Sequence, residues 1–317
     1  MKDRDPSVPR RAVIDVGSNS VKLLVADILS GSLNPILECG EQTRLGRDSF
    51  ETGRLQPKAI DDTIQVVSKF YKKAAKSGAE TIRVVATSAA RDASNGGDLI
   101  AAAMAKGVKL EIVSGDQETQ WACRGALANP LVKSGNAFVV DVGGGSTEII
   151  LVRNKTILAN RSFPMGTVRL LERSVLADPP GLESLEIERK KIQDWILKTV
   201  LSEFETATSQ VSGEPLFLVG CGGTPVFLAR IFSGTSKTDT EPVESIILSA
   251  QELEQTTERL WSLPMAARRK LRGLPPNRAD VILFGALIFE GLMRCLNLSE
   301  LQPSTWGVRH GAMLDSQ

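Results

Sequence analysis

The chain has 317 residues, of which 42% are hydrophobic and 24% are charged, and its formal net charge is +1. This composition excludes a disordered or fibrous protein, and the near-neutral charge gives no reason to expect nucleic-acid binding. The length exceeds one ordinary core and predicts two domains of about 150 residues. Two domains imply a cleft, where an anionic ligand would need local cations and backbone N–H groups.

The cysteines and the apolar segments indicate a cytoplasmic protein. The four cysteines lie far apart and show no CxxC spacing, so neither a zinc knuckle nor a disulfide framework is expected. The N-terminus, MKDRDPSVPRR, has charges and prolines where a secretion signal would have an apolar segment. The longest apolar run, 281–289, is far shorter than the roughly 20 residues of a membrane-spanning helix. It predicts a buried helix and no membrane partner.

A strand–turn–strand unit occurs twice in the sequence. Residues 12–27, AVIDVGSNSVKLLVAD, align with residues 138–153, FVVDVGGGSTEIILVR. The alignment pairs Asp15 with Asp141, Gly17 with Gly143 and Ser20 with Ser146. The turn of such a hairpin exposes backbone N–H groups, and small residues let a ligand approach them closely. The repeat predicts two hairpins that face each other.

A third glycine-rich turn follows an apolar strand at 216–219. It contains Gly220, Gly222, Gly223 and Thr224 and leads into a helix-like segment. N–H groups at a helix N-terminus favour an anion. The P-loop and GxGxxG patterns are absent, which argues against a P-loop NTPase or a dinucleotide-binding domain. Each turn alone could serve only the fold, but three of them, two led by Asp, favour phosphate binding.

Strand-like and helix-like segments alternate in the first part of the chain, as in an α/β domain. The strand-like runs are 35–39, 82–86 and 109–113, and the helical segments are 57–77 and 97–106. Ser114 or Asp116 can cap a helix that runs towards Pro130. Apolar residues at three- and four-residue intervals over 182–205 predict an amphipathic helix that covers a sheet.

The glycine turns also carry a family resemblance. DVGSNSVKLLV, DVGGGSTEI and VGCGGT resemble the phosphate-binding turns of the superfamily of acetate kinase, sugar kinases, heat-shock proteins and actin. Within it, the Ser-Asn-Ser of the first turn and the GGGSTE of the second are similar to the exopolyphosphatase and guanosine pentaphosphate phosphatase family. The stretches at 85–95, 114–119 and 272–282 agree with that family. The resemblance spans nearly the whole chain.

The resemblance implies an α/β fold of two ribonuclease H-like domains with a cleft between them. Each domain would be a mixed five-stranded sheet flanked by helices. The first would comprise 1–130 and the returning segment 302–317, and the second 131–301. The resemblance also implies a homodimer.

Hydrolysis of a terminal phosphoryl group requires groups that spread its charge, a metal ion and a carboxylate that orients or deprotonates water. Asp15, Asp141 and Glu148 flank the turns and are oxygen ligands of the kind that Mg²⁺ or another divalent cation prefers. Asp141 and Glu148 are also expected to take part in catalysis. The resemblance places the catalytic glutamate at Glu118, whose alternative interpretation is a solvated residue in the first turn of a helix.

The substrate phosphates are expected to contact the three turns and several residues at family positions. These are Gly17, Ser18, Asn19, Ser20, Arg44, Thr87, Arg91, Asn95, Gly143, Gly144, Gly145, Ser146, Thr147, Gly222, Gly223 and Thr224. Lys22 and Arg169 are further candidates. The basic cluster at 268–278 is either a track for a longer phosphate chain or a solvated loop. His310, the single histidine, is expected to be a surface substitution.

The expected function is an exopolyphosphatase that releases terminal orthophosphate from inorganic polyphosphate by metal-assisted attack of water. The alternative substrate is guanosine pentaphosphate, which would connect the protein to the stringent response. Both present a terminal phosphoanhydride, and the scarcity of aromatic residues for stacking a base favours polyphosphate. A sensor that binds either compound without turnover, and a superfamily kinase, remain open.

Overall fold

Two mixed β-sheets organise the chain in a computed structural model that describes residues 8–29 and 31–315. The first sheet has the strand order β3-β2-β1-β4-β5. Its strands are β1 (Arg10–Val16), β2 (Ser20–Leu29), β3 (Ser32–Gln42), β4 (Thr81–Ala86) and β5 (Glu111–Ile112). β1 pairs antiparallel with β2 and parallel with β4, and its apolar residues are buried because helices cover the sheet.

The helices of this half follow the sequence expectations. They are α1 (Ser49–Thr52), α2 (Pro57–Lys76), α3 (Ser88–Asp92), α4 (Gly96–Met104) and α5 (Gly115–Ala128). α2 begins with a proline at its first position, where no backbone N–H is needed. Ser114 caps α5 by accepting the Gln117 N–H, so the predicted cap is confirmed. Asp116 lies inside the helix.

The second sheet has six strands in the order β10-β11-β9-β6-β7-β8, one more than expected. They are β6 (Asn136–Val142), β7 (Thr147–Arg153), β8 (Thr156–Phe163), β9 (Leu216–Cys221), β10 (Leu248–Ser249) and β11 (Glu300–Ser304). The additional strand, β10, has two residues and pairs with β11 at the edge of the sheet. A strand this short has no periodicity that a sequence pattern could reveal.

The helices of the second half include the three that the sequence predicted. They are α6 (Thr167–Glu172), α7 (Gly181–Trp195), α8 (Leu201–Ser209), α9 (Gly223–Ser233), α10 (Ala250–Ser262), α11 (Met265–Arg268), α12 (Ile282–Cys295) and α13 (Val308–Leu314). A π-helical turn, Ile196–Val200, joins α7 to α8, which confirms the amphipathic helix. α12 is buried along most of its length, as the apolar run predicts. No helix among residues 8–29 and 31–315 is both long and apolar enough to cross a membrane.

α5 and α13 pack together between the two sheets. A Cβ atom at Gly125 would lie 2.1 Å from the Gly307 carbonyl oxygen, and one at Gly311 would lie 1.9 Å from the Trp121 carbonyl oxygen. The glycines therefore permit the contact. The proposed domain limits stay a prediction. Within the segment 302–317, residues 302–304 belong to β11 of the second sheet. α13 is the element of this segment that contacts the first sheet.

His310 is buried in α13, so its expected surface position is wrong. Its side chain is 1% exposed, and its ring stacks on Trp306 with centroids 4.8 Å apart. Burial, and secondarily the neighbouring Arg309, lower the pKa of His310 well below its ordinary value. The histidine is a neutral packing residue.

Candidate active site

The three glycine turns meet in one cleft between the sheets, and the two hairpins face each other as the repeat predicts. A Cβ atom at Gly144 of the second hairpin would lie 3.0 Å from Ser18 Cβ of the first. Most of the predicted site residues line this cleft: Asp15, Gly17, Ser18, Asn19, Ser20, Thr87, Glu118, Asp141, Gly143, Gly144, Gly145, Ser146, Glu148, Gly223 and Thr224.

The two hairpin turns close in the same way. The Gly17 N–H donates to the Ser20 carbonyl, and the Gly143 N–H donates to the Ser146 carbonyl. Within the described part of the chain, five N–H groups at the tips of these turns donate to no protein acceptor, those of Ser18, Asn19, Gly144, Gly145 and Ser146. Buried N–H groups are nearly always hydrogen-bonded. These donors therefore form a site for an anion with several oxygens.

The Asn19 side chain adds another donor. Its Oδ1 accepts a hydrogen bond from Gln42 Nε2 at 2.8 Å, which fixes the amide. Its Nδ2 is buried and finds no acceptor among the described residues. Leaving a buried amide donor unsatisfied costs about 1–3 kcal/mol, so this group also indicates a bound acceptor.

The third turn supplies the N-terminus of α9. Gly222 has a φ of 83°, and a Cβ atom there would lie 2.8 Å from Asp141 Oδ1. Only glycine fits both conditions. Gly222 leaves room for the Asp141 carboxylate. Gly223 and Thr224 present the first N–H groups of the helix, which have no intrahelical acceptor.

Four carboxylates gather around the cleft. Glu118 and Glu148 are buried, and Asp15 and Asp141 are half-buried at the ends of β1 and β6. Burial raises the pKa of each. Lys22, paired with Asp15 in the β1–β2 register, is the main opposing influence on the pKa of Asp15 and Asp141. The concentration of negative charge favours a bound cation or proton.

Glu118 lies in the first turn of α5 and points into the cleft. It is 7% exposed, so the interpretation as a solvated helix residue is wrong. Burial, with Asp15 and Asp141, raises the pKa of Glu118 to about 7, although Arg91 lowers it. Arg91 Nη1 donates to Glu118 at 2.9 Å and to the Val113 carbonyl at 3.2 Å. A carboxyl group with this pKa can accept a proton near neutral pH.

Glu148 stands opposite Asp141 in the β6–β7 register. Its carboxylate accepts a hydrogen bond from the Ser162 hydroxyl at 2.7 Å. Burial, and then the charges of Glu118 and Asp141, raise its pKa well above the ordinary value. The Ser162 hydrogen bond fixes the orientation of this side chain, which lines the cleft.

Two cations reach the cleft. Lys22 lines it, and burial lowers the pKa of its ammonium group. Arg278 also lines it and donates to the Ser20 hydroxyl at 2.8 Å. Two other members of the basic cluster bind elsewhere: Arg268 is buried against carbonyl groups, and Arg272 pairs with Asp239. The spacing of basic residues alone could not distinguish Arg278 from its neighbours.

Five of the residues expected to contact the phosphates do not line the cleft. Arg91 binds Glu118, and Gly222 leaves room for the Asp141 carboxylate. Arg44 pairs with Asp280 at 2.8 Å, and the Thr147 hydroxyl donates to the Met165 carbonyl. Asn95 accepts the Leu55 N–H at 2.8 Å and donates to the Leu55 carbonyl.

Other residues that line the cleft were not among the predicted site residues. Ser88, Thr167 and Phe227 line it beside the predicted residues. Ser88 follows the predicted Thr87 directly, which was the only available indication. Thr167 and Phe227 come from helices whose approach to the cleft depends on tertiary packing.

Comparison with known proteins identifies the family. The model of the Ppx/GppA phosphatase family matches residues 24–317. The chain belongs to this family. It is 32% identical to exopolyphosphatase 2 of Mycobacterium tuberculosis over 303 residues, 91% of each chain. A crystal structure of the Aquifex aeolicus Ppx/GppA family member has 31% identity and a TM-score of 0.77, with 97% of each chain covered.

The fold extends to more distant structures. An exopolyphosphatase from Cytophaga hutchinsonii has a TM-score of 0.84 at 24% identity, with 96% of this chain and 98% of that chain covered. The family assignment agrees with the resemblance of the glycine turns. The two mixed sheets flanked by helices are the architecture that the resemblance implied.

The carboxylates of this Ppx/GppA cleft fit a magnesium ion shared with the substrate. Among the described residues, no three His, Cys, Asp or Glu side chains form a cluster that could hold a metal ion alone. Mg²⁺ at phosphate sites usually takes one or two carboxylates and completes its coordination with water and substrate phosphates. Asp15, Asp141 and Glu148 line the same cleft and match that donor class. Their role as ligands stays a prediction.

Proposed function

We propose that the chain hydrolyses inorganic polyphosphate from its end and releases orthophosphate. One observation carries the proposal: N–H groups of both hairpins that have no acceptor among the described residues share one cleft with the four carboxylates. Such donors stabilise the charge on a phosphoryl group, and a carboxylate with a raised pKa can take a proton from water. The names of the exopolyphosphatase relatives support the same substrate class.

The residues divide the reaction between them. The hairpin N–H groups and the Asn19 amide bind the oxygens of the terminal phosphoryl group, and Lys22 and Arg278 balance the charge of the chain behind it. Glu118 accepts a proton from water as the water oxygen bonds to phosphorus. The phosphoanhydride P–O bond breaks, and its electron pair leaves with the shortened chain. Mg²⁺, held by Asp15, Asp141 or Glu148, would neutralise phosphate charge.

The experiment is a comparison of phosphate release from long-chain polyphosphate, tripolyphosphate and guanosine pentaphosphate, with Mg²⁺ and with a chelator. We expect polyphosphate to be preferred and the chelator to abolish release. A preference of about ten-fold for the nucleotide, equivalent to about 1.4 kcal/mol, would reverse the assignment. Binding of polyphosphate with no release would identify a sensor instead.

Glu118→Gln tests the base. We expect kcat to fall by roughly 10²–10⁴, the usual contribution of general-base catalysis. Asp116→Asn is the matched control, because Asp116 occupies the same helix turn but is exposed. Near wild-type turnover in Glu118→Gln would exclude the role.

Guanosine pentaphosphate remains a second candidate because of Phe227. Its half-buried ring lines the cleft beside Gly223 and could stack on a base. If the nucleotide is a substrate, Phe227→Ala will lower kcat/KM for guanosine pentaphosphate and leave that for tripolyphosphate unchanged. Equal effects on both substrates would mean that Phe227 only shapes the cleft.

A further inference from the structure

Arg169 of α6 is a buried cation that contacts both halves of the molecule. It is 8% exposed. Its Nε donates to the Gly145 carbonyl at 2.9 Å, its Nη2 pairs with Asp92 of α3, and its guanidinium carbon lies 4.1 Å from the centre of the Phe50 ring. It does not line the cleft. Its charge therefore links the second hairpin to the first half of the molecule.

The start of α6 binds three consecutive carbonyl groups of the second hairpin. The Thr167 N–H donates to Gly143, and the N–H groups of Val168 and Arg169 donate to Gly144. The Arg169 side chain binds the third carbonyl, that of Gly145.

These contacts determine where the hairpin N–H groups point. In a trans peptide the carbonyl and the N–H of the next residue point in opposite directions. The three carbonyls held by α6 belong to the same peptide groups as the N–H groups of Gly144, Gly145 and Ser146. These are the N–H groups of the second hairpin that donate to no acceptor in the described chain. Two are oriented by backbone contacts, and the third depends on the Arg169 side chain.

Arg169 also connects the hairpin to the candidate base. Its partner Asp92 ends α3, and the preceding residue, Arg91, binds Glu118. The Ser88 hydroxyl, at the other end of α3, donates to Asp92 at 3.3 Å. A short helix in the first half thus contacts both the base and the arginine that holds the second hairpin.

We propose that Arg169 is a positioning residue, which aims the Ser146 N–H at the substrate phosphoryl group and fixes that donor relative to Glu118. This inference rests on the proposed phosphoanhydride hydrolysis and adds a residue that acts without touching the substrate. Misplacing a group near the reacting atoms, or losing one donor to a developing charge, typically costs on the order of 10²-fold in rate.

Arg169→Ala tests the inference. We expect kcat for tripolyphosphate to fall on the order of 10²-fold while KM changes little, because the other donors and cations still bind the chain. Methylguanidinium added to this variant should restore part of kcat by occupying the vacated position. Arg173→Ala is the matched control, since Arg173 follows α6 and is exposed, and it should keep wild-type kcat without any rescue.

Asp92→Asn tests the ion pair between Arg169 and Asp92. Its effect on kcat should not add to that of Arg169→Ala in the double variant, because both substitutions remove this same ion pair. A rise in KM with unchanged kcat in Arg169→Ala would overturn the inference and make Arg169 a substrate ligand. Additive losses without methylguanidinium rescue would overturn it as well.

A crystal structure of Arg169→Ala gives a readout that does not depend on activity. We expect the peptide between Gly145 and Ser146 to rotate and its carbonyl to leave the position that it has in the wild type. An unchanged peptide beside a reduced kcat would overturn the positioning role. If the wild type releases phosphate from no substrate, the proposed function fails. The orientation of the peptide would still test whether Arg169 positions the Ser146 N–H.

Discussion

At the scale of single residues, the proposed chemistry depends on the Arg91–Glu118 pair. A carboxylate in a closed cleft among other carboxylates holds its proton tightly, and the Arg91 hydrogen bond opposes this effect. The result is a pKa of about 7, so that the group is ionised for part of its population at neutral pH and still basic enough to accept a proton. An exposed glutamate in a helix turn would be a weaker base.

The pH dependence of kcat/KM follows from this pair. As the proposed base, Glu118 would act in its ionised form, so kcat/KM should rise with pH and level off above about 7. Arg91→Met removes the group that lowers the pKa of Glu118 and should shift the rising limb to higher pH. Arg124→Met, a change on the same helix at a residue that pairs with Asp315, should leave the limb in place. If the pH dependence of kcat/KM in Arg91→Met matches that of the wild type, Arg91 does not control the pKa of Glu118.

At the scale of elements, the packing of α5 on α13 sets the position of Glu118. Both helices approach through glycine, and the closest distance is at Gly311, where a Cβ atom would lie 1.9 Å from the Trp121 carbonyl oxygen. Backbone cannot yield as a flexible side chain can. A methyl group here would therefore push α5, with Glu118 in its first turn, away from its present position.

Gly311→Ala should lower the free energy of unfolding by about 1–3 kcal/mol, the usual cost of overpacking. Its kcat should also fall at temperatures well below the unfolding midpoint, because Glu118 moves. Gly97→Ala in α4 is the control, since no atom lies within 4 Å of its Cβ position, and it should be neutral or slightly stabilising. Thermal unfolding and kcat are measured on both variants. If Gly311→Ala has the unfolding free energy and kcat of the wild type, the packing of α5 on α13 does not set the position of Glu118.

The strands and helices around the site also show which parts of it the sequence predicts. The repeated Asp-x-Gly turns indicate both hairpins, and their register places Lys22 opposite Asp15. The role of α6 could not be predicted, because its hydrogen bonds to the hairpin join residues 24 or 25 apart that share no pattern. Asn95 and His310 show the same limit: Asn95 bonds to Leu55, and His310 lies in a helix that packs on α5 and comes within 3.9 Å of Glu38. These neighbours are distant in sequence, and residue type alone does not reveal them.

At the scale of the whole molecule, the cleft joins two halves that are already linked beside it. Arg44 pairs with Asp280, and the Asp48 N–H donates to Glu172 at 2.6 Å. The shared core around α5 and α13 contains residues from both sheets, among them Val13 and Val139. A polyanion that contacts both hairpins would add a further connection and stabilise the closed arrangement.

Tripolyphosphate with Mg²⁺ should therefore raise the unfolding midpoint, since a ligand at 100 times its dissociation constant contributes about 2.7 kcal/mol. The increase should depend on cations from both halves, Lys22 on β2 and Arg278 before α12. Because a hydrogen bond to a charged group contributes about 1.5–3 kcal/mol, Lys22→Met and Arg278→Met should each remove much of the shift. Arg272→Met, in the same basic cluster but paired with Asp239, should keep it.

The pattern across these three variants separates bridging from one-sided binding. If the ligand spans the cleft, the two cleft variants lose affinity by comparable factors, and Arg272→Met matches the wild type. If only Lys22→Met loses the shift, the ligand contacts the first half alone, and the facing hairpins are not one site. Chain-end hydrolysis needs the phosphoryl group held between N–H donors of the second hairpin and the base on α5, so one-sided binding would also be incompatible with the proposed mechanism.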